Sequence, residues 1–195
     1  MSEAAIVLAG GRSRRMGQDK ATLPFGDETL LDRTVRIVRK VVPEVLVVSR
    51  EDQPRVGDFR VVHDSSEGLG PLAGLVMGLE VMSSERAFLT SCDVPFLKPE
   101  YLRRMIELSQ GYPITVPLVD GYHMTTSAVY TRDVLPIAQE LLAARRLRPL
   151  FLVEAVDARI VTADDLRDVD PDLQSFRNCN TQEEYEQALR DAGFA

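Results

Sequence analysis

The run Ala4 to Leu8, AAIVL, is apolar throughout with no polar alternation, and a glycine- and arginine-rich segment follows it at once. A strand covered on one face alternates apolar and polar side chains. An unbroken apolar run of this length instead reads as a strand buried on both faces of a parallel sheet. Parallel neighbours need long crossover connections, usually helical, so the run already predicts strands alternating with helices.

The rest of the chain follows that pattern. Leu31, Val35, Val38 and Val42 recur at helical spacing within Leu30 to Val42, and Pro43 ends the helix. Val45 to Val48 and Arg60 to Val62 read as strands two and three. The segment from Gly70, with proline one residue on, reads as a helix to about Met82. Ala87 to Thr90 is a fourth strand, and Pro99 to Ser109 an amphipathic helix. Beyond it the pattern is less regular. Ile114 to Val116 and Ser127 to Tyr130 are strand candidates around a turn at Asp120-Gly121, Val134 to Arg146 is helical in period, and Arg159 to Thr162 is a weak strand. Thr181, with Glu184 three residues later, is a capping-box signal for a last helix over Gln182 to Asp191. The expectation is an α/β fold, a mostly parallel sheet with helices on both faces.

At 195 residues the chain is expected to form one domain, 1–195, around one substantial core. No apolar run approaches membrane-spanning length, and Glu3 stands where a secretory signal carries basic residues, so the expected location is the cytoplasm. Two cysteines, Cys92 and Cys179, are too few for a disulfide framework and read as reduced, buried residues. A formal net charge of -7 repels polyanions, which argues against nucleic acid as a partner. Any anionic substrate has to be met by a local basic cluster.

Ligands of open parallel sheets bind beyond the carboxyl ends of the strands. That rule selects Gly10 to Lys20, Asp64 to Gly70 and Ser91 to Phe96. The first loop, LAGGRSRRMGQDK, brings Gly10, Gly11 and Gly17 together with Arg12, Arg14, Arg15 and Lys20. Glycines let backbone N–H groups approach an anion, and the cationic side chains neutralise it, so the loop reads as a triphosphate cradle. Its spacing fits neither the Walker A pattern nor a GxGxxG dinucleotide fingerprint, which argues against a P-loop kinase and a dehydrogenase.

Asp93, at the end of the fourth strand and facing that loop, is the candidate magnesium ligand. One well-placed carboxylate suffices for Mg2+ when phosphate oxygens and waters complete the octahedron. The alternative for Asp93 is a turn aspartate. Asp64 ends the third strand and reads equally as a base or ribose contact and as a cap of the turn at Ser65-Ser66.

Four segments, LAGGRSRRMGQDK, DSSEGLGPLAG, SCDVPFL and NCNT, together resemble the molybdenum cofactor guanylyltransferases over Ile6 to about Leu189. The resemblance implies a Rossmann-like nucleotidyltransferase fold and transfer of GMP from GTP to molybdopterin, giving molybdopterin guanine dinucleotide and pyrophosphate. It implies that Leu8, Ala9, Gly10 and Gly11 offer backbone to the nucleotide and that Lys20 contacts phosphates. Asp64 matches a nucleotide-contacting aspartate, Asp93 would hold Mg2+, and Asn178 and Asn180 match asparagines near the molybdopterin side and the reaction centre; the alternative for Asn180 is a role in the turn before Thr181. Two positions depart from the family pattern: Val48 replaces an asparagine, and His123-Met124 replaces a histidine-proline pair.

The expected step is attack by the terminal phosphate of molybdopterin on the α-phosphorus of GTP. A phosphate monoester has a second pKa of about 6 and needs no strong general base at neutral pH. Lys20 and the metal would neutralise leaving-group charge, with Arg14 or Arg15 holding the triphosphate. Two alternatives remain at this point, a cytidylyltransferase using CTP and a noncatalytic nucleotide-binding module. Loss of Lys20 or Asp93 would mark the second, and both are present. Transient contact with proteins that deliver or accept the cofactor is a further expectation.

Overall fold

A computed structural model of the chain describes residues 2–10, 19–53, 57, 59–64 and 69–194. The central sheet runs β5 (Arg60–Asp64), β4 (Glu44–Arg50), β1 (Glu3–Leu8), β6 (Arg86–Ser91), β9 (Ala128–Thr131), β7 (Ile114–Val119) and β10 (Arg159–Thr162), and β8 (Tyr122–His123) pairs with β7 as a hairpin. β1 lies parallel to both β4 and β6, β4 parallel to β5, and β7 parallel to β10. β9 enters antiparallel between β6 and β7, so the sheet is mostly parallel, as the apolar runs imply.

The register explains why β1 shows no alternation. Ala5 and Val7 point into a core shared with α1 (Leu30–Val38) and α3 (Pro99–Leu108). Ala4 and Ile6 point into a second core, under α2 (Gly70–Val81), α4 (Leu135–Ala143) and α5 (Leu150–Glu154). Both faces of the strand are covered, and all four residues are fully buried. A third, smaller cluster joins Leu23, Phe25 and Leu30 to Cys179, Tyr185 and Ala188. It docks a two-residue hairpin, β2 (Pro24–Phe25) and β3 (Glu28–Thr29), against the last helix, α6 (Gln182–Asp191).

α2 approaches β1 closely. A Cβ at Gly78 would lie 2.5 Å from Ile6 Cδ1, 2.7 Å from Cγ1 and 2.9 Å from Cγ2. At Gly74 the sole contact that close is the tip of Leu8, at 2.5 Å. Alanine gains about 1 kcal/mol of helix propensity over glycine, whereas overpacking a core costs about 1–3 kcal/mol. Fully buried Ile6 has no room to withdraw, while half-buried Leu8 at the strand end does. Urea unfolding should therefore show Gly78→Ala destabilised by about 1 kcal/mol or more and Gly74→Ala near neutral. The reverse ranking would show that helix–strand approach is not the limiting contact.

Several expected helix ends move inward. After Val38 the chain continues in tight turns, with Lys40 N donating to Ile37 O and Val41 N to Val38 O, and Val42 stays buried without being helical. α4 stops at Ala143 rather than Arg146 because Arg145 adopts φ 57°. Its N–H and that of Arg146 then bond back to Leu142 O and Leu141 O, the paired closure of a left-handed helix cap. α6 and β10 span the residues expected, and both halves of the Thr181–Glu184 capping box form.

Candidate active site at the carboxyl edge of the sheet

The crossover leaving β1 leads to β4 on one side, and the one leaving β6 leads away on the other, toward β7. Their carboxyl ends flank the point where strand order reverses, the usual ligand crevice of an open α/β sheet. The ladder continues one residue past each strand: Ala9 N donates to Val48 O at 2.8 Å and Cys92 N to Leu8 O at 3.1 Å. Both loops therefore leave the sheet from fixed positions. Ala9 is buried, Gly10 half-buried, and a Cβ at Gly10 would meet Arg50 Cγ at 3.3 Å and Arg50 N at 3.4 Å.

Lys20 opens a 3-10 turn, Lys20–Thr22, whose N-cap Asp19 accepts from Ala21 N. Its ammonium donates to Asp93 Oδ2 at 2.8 Å and to Asn180 Oδ1 at 2.9 Å. Asp93 Oδ1 accepts from Ser91 Oγ at 2.5 Å. Residues 73 and 160 positions from Lys20 in sequence thus converge on its one ammonium group. The side chains of Lys20 and Asp93 are only 17% and 11% exposed, so the pair is shielded from bulk water yet reachable from the crevice.

The C-terminal segment is pinned to the same loop. Cys179 N donates to Asp93 O at 2.9 Å, and Asn180 N and Thr181 N donate to Glu184 Oε2 within the capping box. Burial first, and then the Asp93 carboxylate, push the Cys179 thiol up to about 11. It stays protonated at neutral pH and acts as packing, not as a nucleophile. Upstream, fully buried Asp170 pairs with Lys98 Nζ at 2.8 Å and accepts from Ser175 N at 2.8 Å, while Ser175 Oγ accepts from Lys98 N at 3.1 Å. This brace ties the turn before Asn178 to the loop that carries Asp93. From the other side Arg33 donates to Pro95 O at 2.6 Å while pairing with Glu28.

The structure thus brings Lys20, Asp93 and Asn180 into one hydrogen-bonded group. Asn178 is half-buried beside it and, among the described residues, is not part of that group. Asp64 ends β5 at the same edge of the sheet by its backbone. Gly11, Arg12, Arg14, Arg15 and Gly17 lie outside the described residues. Val48, at the position of a family asparagine, is buried in the core under α2, so its side chain serves packing and its carbonyl holds Ala9. His123 pairs with Leu118 in the β7–β8 hairpin, at the carboxyl end of β7. Ser91, Arg33, Lys98 and Asp170 join the site without a sequence motif. Ser91 carried a weak signal, a hydroxyl two residues before a strand-end aspartate. The other three act through tertiary contacts that no local pattern announces.

Comparison with known proteins places this geometry. The model of the MobA-like NTP transferase domain matches residues 5–160, most of the chain. The chain belongs to the MobA-like NTP transferases. A probable molybdenum cofactor guanylyltransferase of Pelotomaculum thermopropionicum is 34% identical, over 90% of this chain and 86% of its own. A probable molybdenum cofactor guanylyltransferase of Carboxydothermus hydrogenoformans is 30% identical, over 94% of this chain and 93% of its own. Among solved structures, molybdopterin-guanine dinucleotide biosynthesis protein A from Archaeoglobus fulgidus superposes with a TM-score of 0.84 at 22% identity, covering 99% of this chain and 100% of that one. At that identity the superposition establishes the shared α/β fold. The MobA-like domain match ends before Asn178 and Asn180, so the asparagine that reaches Lys20 comes from a part of the chain outside it.

Proposed function

We propose that this MobA-like chain transfers GMP from GTP to molybdopterin in the cytoplasm, releasing pyrophosphate and forming molybdopterin guanine dinucleotide. The carrying observation is the cluster of Lys20, Asp93 and Asn180 at the strand-order reversal, on a chain 30% and 34% identical to relatives named for this activity. Those relatives also weigh against the CTP reading. In the reaction, a terminal phosphate oxygen of molybdopterin bonds to the α-phosphorus of GTP. The bond from that phosphorus to the α,β-bridging oxygen breaks, and the electron pair leaves on pyrophosphate.

Lys20 holds phosphate oxygens by charge, and the backbone of Leu8, Ala9, Gly10 and Gly11 lines the nucleotide side. Arg15 supports the triphosphate, Asp64 meets base or ribose, and Asn178 and Asn180 face the acceptor. Asp93 is the residue that would hold Mg2+. Its carboxylate offers hard oxygen donors, already faces a cation, and sits where a single protein carboxylate can be joined by phosphate oxygens and water. When bound, the ion would neutralise charge on the phosphates. The chain's own residues orient the nucleotide and keep bulk water from the Lys20–Asp93 pair.

Among the described residues no helix is long and apolar enough to cross a membrane. The acceptor would reach the site by transient contact with proteins that deliver or receive the cofactor, and nucleic acid is not a partner.

The test is calorimetry with GTP, CTP, ATP and UTP in the presence of Mg2+. GTP should bind at least tenfold more tightly than the others and weaken in Lys20→Ala. A CTP preference would transfer the proposal to cytidylyl transfer, and absence of nucleotide binding would end it.

A further inference from the structure

We infer that Lys20 and the divalent cation are alternative partners of Asp93, exchanged when the ammonium moves onto the triphosphate, so that nucleotide and metal bind as a coupled pair. This rests on the reading of the crevice as a triphosphate and metal site. Three observations carry it. The Lys20 ammonium sits 2.8 Å from Asp93 Oδ2, the Ser91 hydroxyl takes Oδ1, and the carboxylate is only 11% exposed.

A hard cation needs a carboxylate oxygen at about 2.0–2.1 Å. Two cations on one shielded carboxylate repel strongly, because so little water screens them. Lys20 therefore opposes metal binding for as long as it rests on Asp93. A triphosphate offers the ammonium more negative charge than one aspartate does, so its arrival draws Lys20 away and leaves the carboxylate to the metal. The same move frees the Asn180 carbonyl oxygen, 2.9 Å from the ammonium, to bond elsewhere. Coupling of this kind is reciprocal, so metal on Asp93 also favours Lys20 on the nucleotide. Lys20 thereby has a second role, guarding the carboxylate against adventitious cations.

The experiment titrates the full chain with Mn2+, without nucleotide, reading free Mn2+ by electron paramagnetic resonance. Lys20→Met removes the charge and keeps much of the side-chain length; Lys20→Gln is the polar counterpart. Both should bind Mn2+ about tenfold more tightly than wild type, a modest fraction of the Coulomb term at such separation. The gain should vanish when Asp93→Asn is added. Circular dichroism identifies any variant that does not fold, and the other lysine variant then carries the comparison. Unchanged or weaker Mn2+ binding in the folded lysine variants overturns the exchange, as does a gain that survives Asp93→Asn. The two levels fail separately. Selective GTP binding by wild type with no Mn2+ gain in Lys20→Met sinks the exchange and leaves the guanylyltransferase reading intact. A Mn2+ gain in a protein that binds CTP in place of GTP does the opposite.

Discussion

Asp93→Asn should lower turnover by about 100- to 1,000-fold, the usual cost of deleting one charge-stabilising group at a reacting phosphate or carbonyl. The change is isosteric. It keeps an oxygen for the Ser91 hydroxyl and leaves untouched the backbone carbonyl that holds Cys179. What it removes is the negative charge that Lys20 pairs with and that a divalent cation would bind. Pyrophosphate release with GTP, Mg2+ and molybdopterin should fall mainly through kcat, with a smaller change in KM for GTP. Magnesium-dependent turnover at the wild-type rate in a correctly folded variant would remove Asp93 from the reaction altogether.

Asp170→Asn should produce the largest stability change, a loss of about 2–3 kcal/mol at neutral pH. Breaking a buried ion pair costs about 3–5 kcal/mol, reduced here because the Lys98 side chain is 35% exposed. For a chain of this size that corresponds to roughly 4–12 °C in Tm. The pH dependence gives an independent signature. Burial alone would raise the Asp170 carboxyl, but the Lys98 ammonium and the Ser175 donors outweigh it and hold the group below its ordinary 3.8. A carboxyl depressed in the folded state contributes stability that is fully present above its unfolded value and lost as pH falls through its folded one. Wild type should therefore lose stability from about pH 4 downward, and Asp170→Asn should lose less over the same interval, as chemical denaturation at pH 7, 5 and 3 will show. Parallel losses in the two proteins would mean that Lys98 and Ser175 do not stabilise the ionised form.

Much of this architecture was legible because β1, β4 and β6 are buried on both faces and therefore spelled as apolar runs. α6 was legible through a capping box that needs only Thr181 and Glu184 at fixed spacing. The strand-end Asp93 was equally visible, since the topology of parallel sheets says where the carboxyl end of a strand lies. The β2–β3 hairpin was not. Its strands are two residues each, too short for any period, and Gly26 with φ 68° was its one local cue. α5 is five residues long and escaped for the same reason. The reversal of β9 left no mark, because an antiparallel strand buried on both faces is spelled like a parallel one. Asn180 could be matched to a family position, but its bond to Lys20 spans 160 residues and is a property of the folded chain alone.

That span sets an order of events during synthesis. The strands that frame the crevice and the aspartate at its edge are all in place once β6 has emerged, yet the amide that meets Lys20 arrives only after β10 and the turns beyond it. Closing a contact over such a distance is entropically among the last steps a chain takes. A ribosome-bound or truncated chain ending near β10 would carry the glycine-rich loop, Lys20 and Asp93 without Asn180. Assembly of this cluster thus reports that the polypeptide has been made and folded through to α6.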